Sequence, residues 1–505
     1  MANEQAAPSG PDFTHGVPLE KVTEGQSLLG HVGGEPALLV RSGGKLHAVG
    51  ATCPHYGGPL AEGAVVNGTI RCPWHHSAFD LETGRVECPP SLHDIPCWNI
   101  EERDGCARAT TRREPAAVRE SKSRTAPASV VVIGGGAAGV VAVGTLRKSG
   151  YAGPVTLVTG ESTPPVDRPN LSKDYLAGSA PHEWMPLHPD EWYAEQKITL
   201  IAGNHARQLD LAKRQVVLED GRTIPFGALL LATGAEPIRL PLGDDGAVHY
   251  LRSWSDSDAI IARAGSAKRA VLIGASFIAL EVAASLRARG LEVTVVAPET
   301  HPLERVLGTE LGAVVRELHE SKGVRFLLGR TARAADARGV TLDDGTHLEA
   351  DLVIAGVGVR PNLALAEAAG LKIDRGIVVN EFLETSAPDV FAAGDIARWP
   401  DPHSGKAIRV EHWVVAERQG QTAARNILGA REQFDAVPFF WSAHYDTTIS
   451  YVGHAEKPDR TELDGDPRSR DCTVRYFEGG RLAAVATIGR DIESLSVEAE
   501  LERQR

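Results

Sequence analysis

The chain lacks any apolar run near the ~20 residues that cross a bilayer, and its first residues, from Met1 to Val17, carry neither the basic patch nor the apolar stretch of a secretory signal. A cytoplasmic protein without a membrane span is the expectation. Aromatic residues make up only 5%, and Lys plus Arg (53) fall short of Asp plus Glu (66), for a net charge of −13. Phosphate backbones need clustered cations, so an excess of acid argues against nucleic acid as a partner. Cysteine is scarce as well: there are six in 505 residues, five of them at or before Cys106 and the last at Cys472. So few thiols, so unevenly placed, are no disulfide framework; in a long cytosolic chain, clustered cysteine reads as metal binding or catalysis.

Glycine, by contrast, is plentiful at 52 residues, and the length suits three or four domains at ~150 residues each. From Leu19 to about Ile100 the text consists of short strands and turns. Ala37–Val40 and Leu46–Val49 flank Ser42-Gly43-Gly44-Lys45, and Asn67-Gly68 sits inside a second hairpin signal. This is a small all-β domain, placed at 17–108. Residues 109–128 are rich in Arg, Pro, Ala, Ser and Thr with little to bury, and read as a solvated linker. At Ser129 the pattern becomes α/β. Val130–Ile133 is a continuous apolar strand followed by glycines and a helix, and Ala270–Ile273 repeats the arrangement. Two such units imply two dinucleotide sites.

The cysteine cluster has a definite spacing. Cys53 and His55 form C-x-H, and after sixteen residues Cys72 and His75 form C-x-x-H. Two Gly/Pro loops closing on one centre suit a tetrahedral zinc, or a [2Fe-2S] cluster in which imidazoles hold one iron and thiolates the other. Zinc fingers usually pair Cys with Cys and His with His. Here each loop supplies one of each, which favours the cluster over zinc or coincidental turn residues. His76 reads as a solvated or capping side chain, and Cys88, Cys97 and Cys106 as structural.

In the first dinucleotide motif, Gly134 permits a tight turn, Gly136 lets a pyrophosphate approach the backbone, and Gly139 lets helix and strand pack closely, with Ala137 and Ala138 opening the helix. The next strand does not end in the usual ribose-binding acid; the nearest candidate is Glu161. The second motif runs Gly274, Ser276, Phe277, Ile278, Ala279, Glu281, with Ser where a second glycine belongs. A serine side chain there would crowd a pyrophosphate. Glu299, beyond the following strand, favours NADH over NADPH by repelling a 2′-phosphate, although Ala297 holds the usual acidic slot and Arg305 is near.

The Cys/His boxes resemble Rieske ferredoxin domains. The Ala232-Thr233-Gly234 turn, Val357–Asn362 and Thr385–Asp395 resemble the two-dinucleotide-domain flavoprotein reductases. Asp167–Lys173 and Pro438–Ser442 are similar to the ferredoxin reductases of aromatic dioxygenase systems and to apoptosis-inducing-factor-like proteins, over about 129–490. As a whole, the chain resembles the Rieske-bearing members of the latter group. The resemblance implies an α+β multidomain protein: an N-terminal all-β Rieske domain, two Rossmann-like α/β dinucleotide-binding domains and a C-terminal α+β reductase domain. The FAD-binding parts fall at 129–250 and 361–437, the NAD(P)H-binding domain at 251–360, and the reductase or dimerisation-like domain at 438–505.

Several site roles follow from the resemblance alone. Arg168 would reach the FAD pyrophosphate and Asp395 the ribityl chain, with Thr233, Gly394 and Gly358 also among the cofactor-binding residues. Lys173 would lie near flavin N5, paired with Glu281, which also meets the nicotinamide. Trp441 and Trp413 would lie against flavin or nicotinamide, with core packing as the alternative for each. Ser77 would donate to a bridging sulfide, and Phe79, replacing a tyrosine of high-potential members, implies a low-potential centre. Gly58 and Trp74 stand where respiratory members carry a disulfide. Disulfide reductases of this superfamily place redox cysteines after the FAD strand, but from Gly139 to Tyr193 there is none, so thiol chemistry at the flavin is excluded.

The function implied is an NAD(P)H-dependent FAD oxidoreductase passing electrons from NADH through FAD to the [2Fe-2S] centre, and on to a ferredoxin, an oxygenase or another acceptor protein. The alternative is an apoptosis-inducing-factor-like NADH sensor or signalling flavoprotein with little turnover. A homodimer is a further expectation.

Overall fold

A computed structural model describes residues 9–114, 126–243 and 246–504, in two compact units: Met1–Arg119 with Arg490–Arg505, and Glu120–Gly489. The expected linker at 109–128 opens inside a strand, Cys106–Arg112, and its stretch 115–125 lies outside the described residues.

The first unit is built from a six-stranded sheet and a four-stranded sheet. Their hairpins fall where the glycines and asparagine predict. Gly43 and Gly44 have φ of 60° and 76°, and Asn67 and Gly68 of 49° and 76°, the left-handed pairs that a two-residue hairpin turn needs. The strand Glu35–Ser42 divides its side chains by period two. Leu38 and Val40 enter a cluster that contains Cys53 and Cys72, while Ala37 and Leu39 enter one around Phe13 and Trp98. One strand thus separates two small cores, and the one that takes Leu38 and Val40 carries both thiols.

The helix Asp491–Arg503 falls with this unit, whereas the sequence assigns it to a C-terminal domain at 438–505. Leu495, Val497, Ala499 and Leu501 are buried, and the helix lies against Ala64–Val66. Ser494, Glu498 and Glu502 recur every fourth residue, which puts them on one face. That face meets Arg71 and His76.

The second unit holds two parallel five-stranded sheets. The first runs in the order Ile198–Ile201, Val155–Val158, Val130–Ile133, Ala228–Leu231, Val390–Ala392. The second runs Val248–His249, Leu352–Ala355, Arg269–Ile273, Glu292–Ala297, Val324–Leu328. Parallel strands covered on both faces need unbroken apolar runs, and Val130–Ile133 is buried at all four positions. The last strand of the first sheet comes from beyond the second sheet, so the first α/β layer is interrupted by the second. An antiparallel sheet from Phe439 to Ile488 completes the unit.

Candidate functional site

Both glycine motifs place a helix N-terminus over the end of a parallel strand. Gly134 has φ of 119°, and a Cβ there would stand 2.0 Å from the Ala232 carbonyl. At Gly139 a Cβ would come within 1.9 Å of the Gly134 carbonyl, so the helix Ala137–Lys148 can sit this close to its strand only with glycine. Gly136 is different: nothing lies within 4 Å of a Cβ there, and the residue lines a cavity of about 1630 Å³. Single-ligand pockets hold ~300–1,000 Å³, so this volume suits two dinucleotides. An open cradle at a helix N-terminus fits the pyrophosphate of FAD.

Of the residues expected to contact FAD, Ala137, Ala138, Glu161, Arg168, Thr233, Gly394, Asp395, Trp413 and Trp441 line this cavity, whereas Gly139 lies beneath it. Glu161 does not stand alone as a ribose acceptor, because Arg168 donates a hydrogen bond to its carboxylate. Arg168 also donates to the Arg252 carbonyl at 2.6 Å, and Arg252 in turn donates to Asp395 at 2.9 Å. Burial and the neighbouring Arg252 lower the pKa of Arg168, with Glu161 opposing them. Thr233 donates to the Asn362 carbonyl at 2.9 Å and its own carbonyl accepts from Asn362 at 3.0 Å, locking two of the motif loops together. Sequence reading missed three supports. Arg252 had no motif around it. Gln419 accepts the Gly394 N–H at 2.7 Å. Gly420 lets the helix Trp413–Ile427 approach, since a Cβ there would stand 2.1 Å from the Ala138 carbonyl.

Lys173 and Glu281 meet as the resemblance implies, Nζ to Oε2 at 2.9 Å. The carboxylate is buried and has two further donors: Ser172 reaches Oε2 and Ser442 reaches Oε1, both at 2.6 Å. Lys173 also donates to the Pro169 carbonyl at 3.1 Å and stands 6.0 Å from the Trp441 ring centre. Trp441 therefore belongs to the cavity wall together with this pair. Trp413 lines the cavity and also packs against the first core.

The second motif supplies Ser276, Phe277, Ile278 and Glu281 to the same cavity, which Gly358 of the Val357–Asn362 segment also lines. Ser276 does not crowd it. Its hydroxyl donates to the Gly356 carbonyl at 2.8 Å and accepts from Ala279 N–H at 3.4 Å, capping the helix Phe277–Ala288. The side chain turned inward explains why serine serves at a glycine position. Gly274 packs under the turn, a Cβ there meeting the Gly356 carbonyl at 2.4 Å. Glu299 is half-buried and lies outside the cavity lining.

In the first unit, each cysteine opens a tight loop. Cys53 N–H donates to the Gly58 carbonyl at 2.8 Å, and Cys72 N–H to the Ser77 carbonyl at 2.8 Å. The loops bring like atoms together: His55 Nδ1 faces His75 Nδ1 at 3.2 Å, and the Cys53 and Cys72 thiols hydrogen-bond each other. Among the described residues no three His, Cys, Asp or Glu side chains gather as they would around one ion. Two nitrogens in one pair and two sulfurs in another fit a binuclear cluster with a different donor pair for each iron. Burial pushes His55 down to about 3, which keeps it in the neutral form that binds metal. Its thiol partner and Ser77 lower Cys53 against the cost of burial. A Cβ on Gly58 would stand 2.6 Å from the Cys72 sulfur, so this position tolerates nothing larger.

His76 is not solvated, as the sequence suggests, but fully buried. Its Nδ1 lies 2.8 Å from Glu498 and its Nε2 3.3 Å from the Ser494 hydroxyl. Arg71 pairs with Glu502 at 2.8 Å and reaches Glu498 at 3.5 Å. These partners lie more than 400 residues away in sequence, beyond the reach of any local motif.

The family model described as pyridine nucleotide-disulphide oxidoreductase matches residues 128–420. The Rieske [2Fe-2S] domain model matches 16–99 and the reductase C-terminal model 439–504. Apoptosis-inducing factor 3 of Mus musculus is 30% identical over 494 residues, covering 94% of this chain and 81% of the relative. Putidaredoxin reductase CamA of Pseudomonas putida is 37% identical over 72% of this chain and 89% of its own length. Among solved structures, the covalent putidaredoxin reductase–putidaredoxin complex aligns with a TM-score of 0.72 at 35% identity, over 75% of this chain and 94% of that one. Among the described residues, no helix is long and apolar enough to cross a membrane.

Proposed function

Because the chain belongs to the pyridine nucleotide-disulphide oxidoreductase family and carries a Rieske domain, we propose that it draws electrons from NADH onto FAD and hands them singly to the [2Fe-2S] centre. From there they pass to a ferredoxin, an oxygenase component or another acceptor. One observation carries the reading: a single chain holds a cavity fit for two dinucleotides around a Lys173–Glu281 pair, and a separate set of paired nitrogen and sulfur donors. Bound FAD would supply the conversion from two-electron to one-electron transfer.

The chain's own residues do the holding. Gly134 and Gly136 with the following helix N-terminus cradle a pyrophosphate, and the Arg168–Glu161 and Arg252–Asp395 pairs fix the polar rim. Lys173 places a positive charge where negative charge collects on reduction, and Glu281 keeps that ammonium in one position. The donor is NAD(P)H, with NADH favoured by the sequence although Glu299 lies outside the cavity lining. In the other unit, Cys53, His55, Cys72 and His75 ligate the cluster, with Ser77 hydrogen-bonding the Cys53 sulfur. The 94% coverage by apoptosis-inducing factor 3 supports a second reading, an NADH-responsive flavoprotein with little turnover.

Anaerobic titration of the purified full chain with NADH, followed by visible absorbance and EPR, tests both. The expected course is bleaching of the flavin, then growth of a reduced Rieske signal, with rapid turnover when an artificial acceptor is added. Flavin reduction without cluster reduction at high protein concentration overturns the electron path. Slow turnover with long-lived reduced flavin selects the second reading.

A further inference from the structure

Behind the Lys173–Glu281 pair, a line of buried polar side chains leads away from the cavity. Ser442 donates to Glu281 Oε1 at 2.6 Å. Its oxygen lies 3.1 Å from His444 Nε2, His444 Nδ1 lies 3.2 Å from His319 Nε2, and His319 Nδ1 lies 3.4 Å from the Tyr445 hydroxyl. Ser442 is 1% exposed, and His444 and His319 are both at 0%; Tyr445 is half-buried. Buried histidines outside the cavity lining require an explanation, because an apolar ring would fill the same space without needing polar partners.

The hydrogen bonds can be ordered in only one consistent way. Ser442 has one proton and gives it to Glu281, so it must accept from His444 Nε2–H. A neutral His444 then has an unprotonated Nδ1, which accepts from His319 Nε2–H, and His319 Nδ1 accepts from Tyr445 O–H. Every group donates inward. We propose that Tyr445, His319, His444 and Ser442 form a proton relay that carries one proton from solvent to Glu281 when the flavin site is reduced. The proposal rests on the reading of that site as an NADH-reduced flavin centre.

NADH gives two electrons with one proton, so reduction leaves one uncompensated negative charge beside Lys173 and Glu281. A proton from solvent binds the Tyr445 oxygen as Tyr445 releases its own to His319 Nδ1, and His319 releases its Nε2 proton to His444 Nδ1. His444 then releases its Nε2 proton to the Ser442 oxygen, and Ser442 releases its own to Glu281. Each group gains one N–H or O–H bond and loses one. The net change is one proton moved from water to the carboxylate, and it returns by the same bonds when the electrons leave.

The surroundings suit the task. Burial, with His444 adding to it, holds His319 well below the ordinary histidine range. Burial, with Lys173 adding to it, holds His444 down to about 3. Both rings therefore rest neutral, the state a relay needs. Burial raises Tyr445 to about 12, with Arg287 opposing, so it stays a donor. Lys322 stands 5.6 Å from the Tyr445 ring centre, and the neighbouring Asp446 is held by Arg470 at 2.6 Å.

Two measurements on the intact loaded protein test the relay. Side-chain nitrogen NMR with labelled histidine should find His319 and His444 neutral, each protonated on Nε2. The opposite tautomers, or an imidazolium, overturn the ordering. Proton uptake from a weakly buffered indicator solution should accompany anaerobic reduction by NADH, and should slow at least tenfold in both His319→Phe and His319→Gln. Glutamine can keep both hydrogen bonds but cannot pass a proton, so wild-type uptake in His319→Gln would reduce the histidine to a structural role and end the proposal. Failure of NADH to bleach the flavin in the unaltered protein would refute the functional reading instead, and the NMR result would still decide the ordering.

Discussion

Two pairs of histidines lie with ring nitrogens 3.2 Å apart, His55 with His75 in the first unit and His319 with His444 in the second. In the first pair Nδ1 faces Nδ1, on two loops that also bring two thiols together. In the second Nε2 faces Nδ1, and the line continues at both ends into hydroxyls and a carboxylate. The same side chain at the same separation is thus arranged once like-to-like and once head-to-tail. Matching lone pairs converge on a point between them, as metal ligation requires. Opposed donor and acceptor make a direction, as proton passage requires. Distance alone would not separate the two uses; the identity of the facing atoms does.

The sharpest way to break this contrast is to remove one donor from the converging set. Cys72→Ser should abolish the cluster, with iron per chain falling to near zero and visible absorbance reduced to the flavin alone, while FAD stays bound. Substitutions at His319 should leave both iron and flavin in place. Iron retained in full by Cys72→Ser would show that the four side chains are not one ligand set.

A smaller effect is expected at His76, the histidine next to the converging pair. Its partner Glu498 is fully buried and also faces Arg71. Glu498→Ala leaves a histidine and an arginine facing an empty position, with Glu502 the remaining acid on Arg71. Removing one member of a buried ion pair typically costs ~3–5 kcal/mol. The expected result is a lower denaturation midpoint for loss of the cluster's visible dichroism, with the flavin transition unmoved. A shift below about 1 kcal/mol, the scale of exposed pairs, would mean that the C-terminal helix adds little to the cluster domain.

What could be read from the sequence divides along the same line. Cys53, His55, Cys72 and His75 were visible because two short loops carry all four proposed ligands at fixed spacing. Gly134, Gly136 and Gly139 were visible because one strand-to-helix turn needs glycine for three separate steric reasons. Lys173 with Glu281 came through family resemblance, since 108 residues separate them. Ser172 and Ser442, which complete the carboxylate's hydrogen bonds, had no signal of their own. Nor had the relay: His319 sits in the helix Glu304–Ser321 and His444 ends the strand Phe439–His444, so only the folded chain brings them together. The packing of the last helix was likewise not legible, although the reductase C-terminal model matches it within 439–504: its partners Arg71 and His76 lie far away in sequence.

The smallest effect concerns stability around the head-to-tail pair. His319 packs edge-on against Phe326, with ring centres 6.2 Å apart, and beside Tyr445 at 5.1 Å, so phenylalanine at position 319 keeps the ring volume. What it removes is the donor to His444 Nδ1, leaving a neutral buried acceptor without its partner. Such a loss typically costs ~1–3 kcal/mol, less than an orphaned charge at Glu498. Urea unfolding of His319→Phe, read by flavin fluorescence, should therefore show a lower midpoint with an unchanged slope, and a decrease smaller than that produced in the cluster domain by Glu498→Ala. A loss equal to or larger than the Glu498 effect would mean that His319 carries charge in the folded protein, and the two histidine pairs would then no longer differ in the way their facing atoms indicate.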